Sequence, residues 1–126
     1  METLRNITFC CTLVICSLGF LGCGKKADET KPLSEVKAEA DKMSIDKLRS
    51  MAMKYKDAIL SKKGEVERLA AKLKDIPVAK MMGDEAKGLK AEIEAMNKSV
   101  SALKERFQVY YDKLKGKGGN LSGLEL

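Results

Sequence analysis

The chain has 126 residues, room for one domain, of which 33% are charged and 5% aromatic, with no Trp and no His. The absence of His, with all four Cys confined to the first 23 positions, removes the ordinary metal sites and the usual acid/base group at neutral pH; no catalytic role, metal or other cofactor is expected. So few large side chains favour a long helical packing over a compact globule, and the formal charge of +6 directs attention to anionic partners.

Residues 1–6 are short and polar with Arg5, residues 7–21 carry no charge, and the small residues Gly19, Gly22 and Gly24 follow. This is the three-part layout of a secretory signal peptide. A retained transmembrane helix competes with it, but the uncharged run of about 15–18 residues is shorter than the roughly 20 needed to span hydrocarbon. Cys10, Cys11 and Cys16 fall within this run and read as small apolar fillers rather than disulfide partners.

Phe20-Leu21-Gly22-Cys23 resembles the lipobox of bacterial lipoproteins, with Phe20 standing where that family usually has Leu. The resemblance implies cleavage after Gly22, a covalent lipid on Cys23 such as palmitate, and a membrane anchor in the cell envelope. Gly24 in place of Asp after the Cys implies, by the same resemblance, outer-membrane sorting in a Gram-negative cell. Only the targeting segment is covered, and no fold or activity comes with it. Ser17-Leu18-Gly19 and Gly22-Cys23-Gly24 also suit ordinary cleavage, so a soluble secreted or periplasmic binding module or inhibitor stays open as the alternative.

Residues 23–31 are charged and without apolar period, which predicts a flexible, solvated linker behind the anchor. Pro32 suits the first turn of a helix over residues 32–43, whose stripe is Leu33, Val36, Ala40 and Met43. The phase is lost at Met43-Ser44, where Ser44 caps a new helix over residues 45–76. Leu48, Ala52, Tyr55, Ile59, Lys62, Val66, Leu69, Leu73 and Ile76 then step alternately by four and three. A second stripe over residues 84–115 comprises Ala86, Leu89, Ile93, Met96, Val100, Leu103, Phe107, Tyr110 and Leu114.

Pro77 stops the first long helix, while Gly83 and Asp84 supply a turn and an N-cap for the second. One hinge pairs every layer, from Ile76 with Ala86 through Tyr55 with Phe107 and Ala52 with Tyr110 to Leu48 with Leu114. The expected fold is therefore all-α: an antiparallel helical hairpin, a two-stranded coiled coil with arms of about 43 Å, preceded by a shorter helix and occupying residues 32–117. Lys62 interrupts the seam and is expected to snorkel out of it. Lysines and glycines around Gly116, Gly118 and Gly119 end the last helix, and residues 118–126 read as a flexible tail.

No glycine loop opens a helix, and the acidic pairs Asp84/Glu85 and Glu92/Glu94 fall at a helix start or on a solvated face. The basic excess is concentrated in residues 24–56 and 104–126, with 14 basic and 9 acidic side chains, against 9 and 8 in residues 57–103. Both outer segments belong to the base of the hairpin, which makes Lys25, Lys26, Lys113, Lys115 and Lys117 candidates for contact with anionic headgroups. Export argues against nucleic acid as a partner. The turn at the opposite end carries Val78, Met81 and Met82, a composition suited to a protein partner, unless these side chains simply cap the hairpin. Two bare helices bury little surface, so self-association is a further expectation.

Overall fold

The computed structural model describes residues 27–126. The expected leader and the candidate residues Cys23, Lys25 and Lys26 lie outside the described residues. The chain is all-helical: α1 spans Leu33–Lys42, α2 Ile45–Asp75 and α3 Asp84–Gly116, with a single 3-10 turn at Val78–Lys80 between the long helices. Helices α2 and α3 form the hairpin, and α1 packs principally on α3. At 1.5 Å per residue the long arms extend about 46–50 Å.

The boundaries follow from local chemistry. Pro32, at φ −57°, precedes α1 as its N-cap, and Ser44 accepts the Lys47 amide at 3.4 Å to start α2. Asp84 is the first helical residue of α3 rather than its cap. Gly83 takes the cap position without a side-chain bond, and the Asp84 carboxylate sits where the helix dipole favours an anion. At the far end, Gly118 adopts φ 71° and donates to Lys115, while Gly119 donates to the Leu114 carbonyl at 2.9 Å. These two bonds form the Schellman arrangement and satisfy carbonyls the helix would otherwise leave open.

All eighteen seam positions are buried or half-buried, but the two halves of the hairpin differ. Leu48, Ala52, Tyr55, Ile59, Leu103, Phe107, Tyr110 and Leu114 are shut off from solvent. Farther out, Val66, Leu69, Leu73, Ile76, Leu89, Ile93 and Met96 are only half-buried. Two helices alone cover one line of contact, and the lower half is closed because further segments flank it. Val36 and Ala40 of α1 join the core from one side and Leu124 from the other.

Two segments depart from expectation. Residues 27–31 form a strap laid against the helices instead of a solvated linker, because their backbone finds partners there. Residues 120–126 are a docked tail instead of a flexible one. Leu124 is 1% exposed, and the Asn120, Ser122 and Gly123 carbonyls accept from Arg49, Arg49 and Lys56 of α2. Gly119 permits the turn into the tail: a Cβ there would lie 2.1 Å from a Leu114 methyl.

Candidate functional site

The apolar tip is the first candidate. Pro77 ends α2 by removing an amide donor, and the chain then makes its 3-10 turn, closed by the Met81 amide on the Val78 carbonyl at 3.2 Å. In this turn Val78 is 89% exposed and Met82 80%, while Met81 is half-buried. All three predicted residues lie along this turn, but only Met81 is partly covered. Ala86 is fully buried nearby, so the small residue at the start of the seam closes the hairpin without using Val78 or Met82.

The basic base is arranged differently from the sequence expectation. Lys113 pairs with Asp41, and the Lys117 ammonium donates to the Asp41 and Met43 carbonyls at 3.3 and 2.7 Å. Both cations therefore fasten the C-terminal end of α1, where unpaired carbonyls and the helix dipole attract positive charge. The Lys113 ammonium holds the Asp41 carboxyl below the ordinary carboxylate value. Lys115 stays on the exposed surface.

The strap is a site that the sequence pattern missed. The Tyr55 hydroxyl accepts the Asp28 amide at 3.1 Å and donates to the Asp28 carbonyl at 3.0 Å, using both capacities of the phenol. Arg106, 8% exposed, donates through Nε and Nη2 to the Lys31 carbonyl at 3.0 and 2.5 Å and through Nη1 to the Ala102 carbonyl at 2.7 Å. Glu29 accepts from the Ser99 hydroxyl and pairs with Lys62 at 3.5 Å. The seam lysine thus leaves the apolar line to meet the strap. Lys31 is bound by Glu39 at 2.5 Å and Glu35 at 3.4 Å, and the Glu39 contact holds its ammonium above the usual lysine range.

Above the strap the Tyr55 and Tyr110 rings stack at 5.4 Å with 29° between planes. The expected layers were Tyr55 with Phe107 and Ala52 with Tyr110. Side chains lean toward the N-terminus of their own helix, so in an antiparallel pair Tyr55 leans toward the base and Tyr110 toward the tip. They meet over the space Ala52 leaves. Burial, reinforced by the neighbouring Tyr55, pushes the Tyr110 phenol up to about 12, and burial also raises Tyr55 against the opposing bond from Asp28.

A groove runs between α1 and α2 because α1 leans on α3. Its upper half, about 600 Å³, is bordered by the strap, Tyr55, Ala58 and Lys62; its lower half, about 420 Å³, by Lys42, Met43, Lys47, Met51 and Lys54. Glu39 and Met51 line both halves. Among the described residues no three His, Cys, Asp or Glu side chains gather as a metal site, and no helix is long and apolar enough to cross a membrane. No family model, curated protein or solved structure matches the chain.

Proposed function

We propose that the chain is a membrane-anchored lipoprotein of the cell envelope, held by lipid on Cys23, whose helical hairpin acts as a scaffold, spacer or adaptor and presents its tip to a protein partner. The observation that carries the proposal is the exposure of Val78 and Met82, two large apolar side chains on a turn whose closure does not require them. Apolar side chains on a protruding, Met-bearing turn adapt to a partner's surface. The fastened base supports the same reading. Strap, α1 and tail all grip the lower hairpin and leave the outer arm projecting from it.

Two measurements test the proposal separately. The mass of the mature N-terminal peptide from the exported protein is expected to show diacylated or triacylated Cys23; a free amine at another residue ends the lipoprotein reading. A photo-crosslinking side chain placed at Val78 or Met82 is expected to give a discrete adduct in cells, lost when the neighbouring apolar residue is replaced by Asp. Equal crosslinking from Glu67, on the exposed shaft of α2, would overturn the role of the tip.

A further inference from the structure

The position of the strap decides where an anchor on Cys23 can reach. The strap runs away from the N-terminal end of α1 toward the middle of the hairpin. Its Ala27 borders the groove beside Tyr55 and Ala58, and Glu29 reaches Lys62 and Ser99. At 1.5 Å per residue, Tyr55 and Ala58 stand about 15–20 Å above the start of α2 and Ala58 about 26 Å below its end. The four residues that separate Cys23 from Ala27 extend at most about 14 Å. An anchor at Cys23 falls short of the tip by roughly 12 Å, and reaches the base only with that segment stretched straight along the helices.

The flank from which Ala27 departs carries the groove between α1 and α2. In the lower half of the groove Lys42, Lys47 and Lys54 surround Met43, Ser50 and Met51, and Glu39 is the one carboxylate of that lining. Glu39 is already bound to Lys31. The half is therefore basic at its rim and apolar at its floor. Lys113 and Lys117, the cations of the base expected to play this part, are taken up by the end of α1.

We propose that this α1–α2 flank is the membrane-facing surface of the protein: it receives anionic phospholipid headgroups on Lys42, Lys47 and Lys54, so that the hairpin lies along the bilayer instead of standing on its base. The inference rests on the lipoprotein reading for the tether and on the charge of the groove for the face. Phosphate oxygens meet the lysine ammoniums, while glycerol and upper acyl carbons meet Met43 and Met51. Each lysine brought to an anionic surface strengthens attachment about fivefold, and three together about a hundredfold. The tip, on the part of the arm that extends past the tether, then reaches sideways along the membrane.

The exported protein, with its natural N-terminus, is reconstituted into vesicles of phosphatidylcholine with or without phosphatidylglycerol and treated briefly with a water-soluble amine-acylating reagent. Peptide masses report each lysine. With phosphatidylglycerol present, acylation of Lys42, Lys47 and Lys54 is expected to fall about threefold or more, and the protection to fade at high salt. Lys90 and Lys115, which helical phase puts on the side of α3 away from Leu103 and Tyr110, its residues in the groove, are expected to react unchanged. Equal reactivity at all five lysines, or the same protection in phosphatidylcholine alone, would overturn the proposal. The N-terminal peptide in the same digest reports lipid on Cys23 independently. A lipidated Cys23 with unprotected lysines sinks the face and spares the lipoprotein, whereas protected lysines on an unlipidated chain leave the face standing on charge alone.

Discussion

Replacing Leu124 by Ala separates a docked tail from a loose one. The side chain is 1% exposed and belongs to the same core as Leu48, Leu114 and Tyr110. Removing a buried leucine from water contributes about 1.5–3 kcal/mol, and truncation to Ala in cores costs about 2–5 kcal/mol once the cavity is included. The tail is attached at one end only and can settle into part of the space, which puts Leu124→Ala at the lower end, about 2–3 kcal/mol. The bonds from Arg49 and Lys56 to the tail carbonyls are exposed and add little. Urea unfolding followed by circular dichroism reads the change as a lower midpoint with unchanged slope, and thermal unfolding as a drop of about 8–20 °C for a domain of this size. Leu126→Ala, at a position 49% exposed, is the control and should shift stability by less than about 0.5 kcal/mol. If the two variants unfold alike, the tail does not close the core and the argument fails.

Arg106→Leu keeps bulk but leaves the Lys31 carbonyl without its donors; we expect a loss of about 1–3 kcal/mol and faster amide exchange across residues 28–35, and unchanged exchange there would remove Arg106 from its role. Gly64→Ala and Gly88→Ala lie inside helices with open space around the new methyl, so each should raise stability by about 0.5–1 kcal/mol; a lower urea midpoint would show an undetected close approach. Tyr110 holds its proton up to about 12 when folded, against 10.0 for an ordinary tyrosine phenol. Its contribution is complete below pH 10 and is lost as pH climbs from there through about 12, since the unfolded chain deprotonates first. Tyr110→Phe should flatten this alkaline slope, and an unaltered slope would assign it to other groups. Asp41 is shifted the opposite way: its ion pair is present above the ordinary carboxylate value and fades as pH falls below it, and Lys113→Ala should bring the Asp41 titration, followed by NMR, back to that value.

The hairpin was legible because it is written in a period. Two stripes of equal length, a proline between them and one hinge position that matches every layer leave little choice of partner for α2. The break at Met43-Ser44 was visible from a lost phase, and the end of α3 from its glycines. The strap and tail were not legible, since charge and glycine content in residues 24–31 and 118–126 describe a segment's affinity for water and say nothing of carbonyls that Arg106, Arg49 and Lys56 can bind. Arg106 itself was hidden by its type: it lies three and four residues from Leu103 and Tyr110, but a guanidinium there reads as surface until the strap covers it. Met51 escaped likewise, one turn from Tyr55 on the covered flank. At the tip, exposure separates Val78 and Met82 from Met81, a distinction no periodicity carries through a 3-10 turn.

The order in which the described helices settle follows from where α1 finds its support. Its polar contacts with α3, and those the strap makes there, span separations of 70 to 76 residues, from Glu29 with Ser99 to the Asp41 carbonyl with Lys117. A ten-residue helix is too short to persist unaided in water. The first helix to leave the ribosome therefore waits for the last, and the lower hairpin closes as a late, nonlocal event once the C-terminal third has emerged. A nascent chain halted before residue 99 would hold the strap and α1 without the α3 surface that closes on them.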